Sequence, residues 1–196
     1  MNTHSVVRKA VLLGGLFYSL VAQGHELRAL ASDQAHSAID LFREFLSIPN
    51  DAVYPEQIET LNAWMLEAFE ARGFDAQELP TGGAPALFAE RRSPDATATL
   101  LIYLQADGQP VDPSAWQQPD PYDAVLKTAD SDGNWEIIPW ESLQAGIDPD
   151  WRVFARSAAD SKGPMTQFLV ACELLRTLKP DLGYNLKVLV DTEEEL

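Results

Sequence analysis

The chain has 196 residues, 46% hydrophobic and 22% charged, which is an ordinary globular composition with enough apolar side chain for a core; it suits one domain or a piece of a larger one. Thirty acidic residues against fourteen basic ones give a net charge of -16, which repels nucleic acid unless a basic patch intervenes, and the longest basic run is only Arg91-Arg92. The acidity reads either as a solubility device or, in part, as carboxylates gathered around a metal.

At the amino terminus, Arg8-Lys9, an apolar run from Ala10 to Val21, and small residues at Ala22 and Gly24 follow the order of a secretory signal peptide. The run is shorter than the ~20 apolar residues needed to span a bilayer. Residues 1–24 are therefore expected to be a cleaved leader and residues 25–196 the mature part, periplasmic or secreted, with no stable membrane span after cleavage. A short membrane anchor and an ordinary buried helix are the alternatives. Helical spacing then places apolar Ile39, Leu41, Phe42 and Phe45 on one helix from Ser37 to Phe45, and Leu61, Trp64, Met65 and Phe69 on a second from about Pro55 to Ala71, before Gly73.

Three strands are predicted next: Asp75 to Leu79, Ala86 to Glu90, and Thr97 to Gln105. The last holds the continuous apolar run Leu100 to Leu104, which reads as a central strand buried on both faces. Pro110 to Asp150, with the turn signal Asp132-Gly133, is expected to be loop with short hairpin pieces. Trp151 to Phe154 reads as a short strand. Pro164 suits the first turn of a helix whose buried face is Met165, Phe168, Leu169, Cys172 and Leu175. Cys172, the only cysteine, excludes an internal disulfide and reads as a buried, inert thiol. Pro180 ends that helix, and Asn185 to Val190 forms the last strand, running into Asp191-Thr192-Glu193-Glu194-Glu195. Strand, loop, helix and strand in this order imply a right-handed crossover, hence an α/β fold with a mostly parallel sheet flanked by helices.

In such a sheet, functional groups gather at the carboxyl ends of strands. Asp107 follows the third strand, Asp160 precedes the crossover helix, and the Glu193-Glu194-Glu195 run follows the last strand. Carboxylates brought together repel unless a divalent cation holds them, so a metal site is one reading of the three. Taken singly, an Asp before a helix is as readily a cap, and a Glu run at a strand exit as readily a solvated turn.

Tyr103-Leu104-Gln105-Ala106-Asp107-Gly108-Gln109-Pro110 resembles the Gly-His-x-Asp-Val-x-Pro strand end of the zinc metallopeptidase and amidohydrolase family of acetylornithine deacetylase, succinyl-diaminopimelate desuccinylase, carnosinase and glutamate carboxypeptidase. Trp116 with Asp120-Pro121-Tyr122 is similar to its Trp-x-x-Pro-Phe segment, Arg156 to Gly163 to its Gly-Arg-Gly-x-x-Asp-x-Lys-Gly motif, and Asp191 to Glu195 to its Glu-Gly-x-Glu-Glu motif. The resemblance covers about Ser37 to Leu196. It implies a zinc-exopeptidase-like catalytic domain, of which this chain would be the amino-terminal part, truncated before the lid or dimerisation domain through which such proteins form homodimers. It implies two zinc ions, with cobalt or manganese as substitutes, and hydrolysis of a peptide or N-acyl amino acid C–N bond by a metal-activated water. Asp160 would bridge the metals, Glu195 would bind one of them, Glu194 would be the general base, and Asp107 would orient the histidine that binds the other.

Three departures qualify that expectation. The histidine position is Gln105, whose amide oxygen is a weaker, harder donor than imidazole. The sequence therefore supports either a working hydrolase with an altered second metal position or a catalytically impaired binding protein on the same fold. Asp107 and Asp160 are also separated by a long Trp-containing segment, Ser131 to Asp150, which reads as a surface hairpin or a substrate gate. Finally, Leu196 precedes the further acidic and histidine ligands that the family would supply.

Overall fold

The computed structural model describes residues 26–179 and 181–196, so the predicted leader, residues 1–24, lies outside them. The chain divides after Ser37 into two units, and in the first of them residues 26–33 are helical.

Helix α1 (Ala35–Leu46) ends on the buried pair Phe45 and Leu46. Helix α2 (Pro55–Glu70) begins with proline, whose missing N–H costs nothing in a first turn. It buries Ile58, Leu61, Met65, Ala68 and Phe69, the spacing of one helical stripe. Trp64 of α2 stacks on Phe45 with ring centroids 4.3 Å apart. Helix α3 (Gly163–Leu178) buries Met165, Leu169 and Cys172, as the sequence predicts. These stripes close one core with the inward residues of a four-stranded sheet: Leu87, Ala89, Leu186, Val188 and Val190.

That sheet comprises β1 (Asp75–Leu79), β2 (Ala86–Arg91), β3 (Thr99–Gln105) and β7 (Asn185–Asp191), in the order β1-β2-β7-β3. The predicted crossover is present, since β3 and β7 pair in parallel from Thr99↔Asn185 to Gln105↔Asp191. The α/β class therefore holds, but the parallel majority does not: β1 with β2 and β2 with β7 are antiparallel. A short turn joins β1 to β2, and such a connection brings strands together only in opposite directions, whereas a parallel pair needs a crossover.

A second correction concerns β3. It is an edge strand of the described sheet, and Leu100, Leu101 and Tyr103 are 47%, 61% and 53% exposed. Of its apolar run, Ile102 and Leu104 pack against the core, and no described strand pairs with its free edge.

The segment between β3 and α3 carries its own three-stranded sheet, β4 (Val125–Ala129), β5 (Trp135–Ile138) and β6 (Arg152–Phe154), in the order β5-β4-β6. Gly133, at φ +84°, turns the β4–β5 hairpin, where only glycine takes the left-handed backbone without strain. The predicted surface hairpin is therefore present.

Candidate metal centre

Parallel pairing of β3 and β7 aligns their carboxyl ends, so the segments after Gln105 and after Asp191 leave the sheet side by side. Two hydrogen bonds then lock the exits together. The main-chain N–H of Ala106 donates to the Asp191 carbonyl at 2.9 Å, and that of Glu195 donates to Asp107 Oδ2 at 2.9 Å. Asp107 is 2% exposed. Burial raises its carboxyl above the ordinary range, opposed by main-chain N–H donors that include those of Glu195 and Glu194. Its other oxygen, Oδ1, is buried without a partner, an arrangement that costs about 1–3 kcal/mol for a polar group shut away from water.

The third contributor is the kinked turn Ala158–Lys162, in which Asp160 and Ser161 leave helical backbone angles. The Ser161 hydroxyl donates to the Gln105 carbonyl, tying this turn to the end of β3. Lys162 is wholly buried. Its Nζ donates to the carbonyls of Phe45, at 3.0 Å, and Ile48, and burial pushes the ammonium down to about 7. Lys162 thus fastens the start of α3 to the chain leaving α1.

A residue without a signal in the sequence completes the frame. Asn50, fully buried, donates from Nδ2 to the Ala106 carbonyl at 2.7 Å and to Ser157 Oγ at 3.0 Å. Its own carbonyl accepts from the Gly108 N–H at 2.8 Å. A Cβ on Gly108 would stand 2.5 Å from Ser157 Oγ, so a glycine here allows the β3 exit and the turn before Asp160 to approach. An asparagine after a helix end has no property in sequence that separates it from an ordinary turn residue.

The predicted site residues sort as follows. Asp160 and Glu195 line one open cavity of about 340 Å³, with Gln109, Trp116, Arg156 and Ser157. Gln109 Nε2 donates to Glu195 Oε2 at 2.8 Å. The three glutamates diverge: Glu193 accepts from the Ala84 N–H at 2.8 Å and anchors the strand exit, Glu194 is exposed, and Glu195 turns to the cavity. Asp107 holds the main chain of Glu195. Gln105 ends β3 half-buried. Beside it on the outer face, Tyr103 donates to Asp191 Oδ2 at 2.8 Å, and this bond, with lesser help from burial, pushes the phenol up to about 12.

Two carboxylates on one cavity, with an orphaned carboxylate oxygen in the adjoining strand exit, fit a divalent cation in donor chemistry. They do not fit it in number: among the described residues no group of three or more His, Cys, Asp or Glu side chains could hold a metal ion. Asp160 and Glu195 are therefore a partial donor set.

No protein-family model matches the chain. It is 24% identical over 173 residues to the beta-Ala-His dipeptidase of Homo sapiens, covering 80% of this chain and 30% of that protein. Among solved structures, it is similar to an M20 family metallo-carboxypeptidase, Sso-CP2 from Sulfolobus solfataricus, with 32% identity and a TM-score of 0.61 over 81% of this chain and 31% of that one. The fold of the di-peptidase Dug1p from Saccharomyces cerevisiae also matches, with a TM-score of 0.63, 15% identity, and 85% and 34% of the two chains covered. The chain spans about 30% of the length of the curated relatives it matches.

Proposed function

We propose, for a chain whose relatives and structural neighbours are M20 family metallopeptidases and dipeptidases, that it carries the base and part of the metal shell of a metal-dependent hydrolase acting on a peptide or N-acyl amino acid C–N bond. The observation that carries this reading is the meeting of Asp160 and Glu195 on one cavity, with Asp107 holding the Glu195 main chain. Asp160 and Glu195 would hold the metal, zinc by preference. When bound, such an ion polarises an amide carbonyl and lowers the pKa of water. Glu194, exposed and next to Glu195, is the residue that accepts a proton from the attacking water. Asp107 is a positioning residue: its hydrogen bond to the Glu195 N–H fixes the main chain that carries both glutamates, while the position where the motif leads one to expect a histidine is Gln105.

Assayed with zinc, the protein expressed from its full reading frame is expected to hydrolyse members of a dipeptide and N-acyl amino acid panel that includes β-alanyl-histidine. EDTA should abolish that activity, and Glu194→Ala should lower it by about 10²- to 10⁴-fold, the usual contribution of a general base. A wild-type protein that holds zinc stoichiometrically yet cleaves nothing would sink the reading. We also place residues 1–24 as an export leader. No helix among the described residues is long and apolar enough to cross a membrane, and sequencing the amino terminus of the mature protein tests cleavage near Gly24.

A further inference from the structure

The three-stranded sheet β5-β4-β6 has an inner and an outer face. Leu126 and Val153 belong to the inner one, where Leu126 is buried and Val153 packs against Leu46, Ala124 and Ala155. Pleating sends Lys127 to the other face. There the register aligns Arg152, Lys127 and Ile137 in one row, with Trp135 and Phe154 standing on either side of it. The two rings nevertheless meet edge to face, with centroids 5.2 Å apart, and so close over the row. Lys127 is consequently only 4% exposed, although its strand position is an outward one, while Arg152 and Ile137 remain exposed.

The charges of this outer face do not balance. Lys127 and Arg152 stand directly opposite each other on β4 and β6, and like charges so placed are destabilising. The only acidic residue of the three strands, Glu136, belongs by register to the inner face. Among the described residues neither cation enters an ion pair. Arg152 donates to the carbonyls of Pro149 and Trp151 at 2.7 and 2.8 Å, and the Lys127 ammonium lies over the Phe154 ring, 4.4 Å from its centroid. A ring face attracts a cation but leaves the ammonium's three N–H donors without an oxygen acceptor.

A chain with thirty acidic residues against fourteen basic ones thus keeps two adjacent cations, apart from any carboxylate, on a face where Trp135 and Ile137 are 40% and 54% exposed. Aromatic residues and arginine are the side chains that anchor protein interfaces. We propose that this face docks an extended acidic segment of a protein partner. One Glu or Asp carboxylate meets Lys127 and Arg152, and apolar side chains two residues away, which share its side of an extended chain, meet Trp135 and Ile137. An anionic membrane carries the same charge, but as a plane that also confronts the acidic surface around the face. A single carboxylate meets only the cations within the screening length of about 8–10 Å. The proposal stands apart from the hydrolase reading, because none of these residues lines the cavity of Asp160 and Glu195.

The test titrates the blocked peptide acetyl-Ser-Leu-Ser-Glu-Ser-Leu-Ser-amide, and its counterpart with Gln in place of Glu, into the protein expressed from its full reading frame, in EDTA. NMR of the tryptophan indole N–H groups reports binding, with the Trp135 resonance assigned by its loss in Trp135→Phe. Wild type should prefer the Glu peptide by about tenfold, the contribution of a hydrogen bond to a charged group, and the Trp135 resonance should move most. Lys127→Met keeps the stem under the two rings and removes the ammonium, so it should bring the ratio near one while the Gln peptide binds as before. A general packing defect would weaken both peptides together, so the ratio separates recognition from structure. If Lys127→Met does not fold, the exposed Arg152→Met decides, and there the ratio should fall by about threefold. Equal affinity for the two peptides in wild type, a ratio that the variants leave unchanged, or no binding of the Glu peptide at about 5 mM overturns the proposal. Co-sedimentation with vesicles of phosphatidylcholine and phosphatidylserine at roughly 3:1, lost in Lys127→Met and without binding of the Glu peptide, overturns it in favour of a membrane contact.

Discussion

The two faces of the four-stranded sheet are built from the same strands and have opposite fates. On the face beneath α1, α2 and α3, register rows join Leu87, Val190 and Leu104, and then Ala89, Val188 and Ile102; the β2 and β7 members of these rows are buried. On the other face, the rows join Phe88, Leu189 and Tyr103, and then Glu90, Lys187 and Leu101. There Lys187 pairs with Glu90 at 3.4 Å, Tyr103 reaches Asp191, and Leu101 is 61% exposed. The pleat assigns each residue its face, but its burial depends on whether a helix is laid over that face.

The largest expected break comes from the covered side. Phe69 is fully buried between Phe74 and Phe168, with centroid distances of 5.4 and 6.4 Å. Phe69→Ala removes a ring from a close-packed site and should cost about 3–5 kcal/mol, read as a shift in urea midpoint at unchanged slope. A loss under about 1 kcal/mol would mean that the covered face is loosely packed, and the contrast between the faces would collapse.

A smaller, pH-dependent effect comes from Cys172 on the same side. Burial pushes its thiol up to about 11, against small lowering effects from Arg91 and Arg72. A folded pKa above the unfolded one means that the thiol's contribution is fully present below the unfolded pKa and is lost as pH rises through about 11. Stability should therefore fall more steeply between pH 9 and pH 11 in wild type than in Cys172→Ala, and the folded thiol should resist an aromatic disulfide reagent at pH 8. Rapid labelling of the native protein at pH 8 would show that the helix-covered face opens readily.

Most of this fold was legible in the sequence because its signals are local. The stripes of α2 and α3, the proline at each helix start, and the Asp132-Gly133 turn all act over a few residues. Strand neighbours were not legible: β3 read as central from Leu100 to Leu104, but a continuous apolar run does not say which strand stands beside it. In the candidate site, the positions of Asp160 and Glu195 followed from strand ends and motif order. The separate directions of Glu193, Glu194 and Glu195 did not, because they depend on Ala84, Asp107 and Gln109, each more than 80 residues away in the chain. Asn50 was invisible for the same reason, since its long-range partners, Ala106 and Ser157, leave no mark on local pattern.

The smallest expected effect is the sharpest test of the two-faced description. Leu101 has the apolar side chain and strand position of a core residue, and by composition alone Leu101→Thr would be predicted to cost as much as a change at Val188. Its side chain lies on the outer face beside Lys187, largely in water already, so little apolar area is lost from burial and a β-branched residue keeps the strand's preference. Leu101→Thr should therefore move the urea midpoint by no more than about 0.5 kcal/mol equivalent, while Val188→Thr, which puts a hydroxyl into a site with no solvent access, should cost about 1–3 kcal/mol. If the two substitutions proved equally damaging, something in the folded protein would have to cover Leu101 in solution, and the outer face would be as much an interior as the inner one.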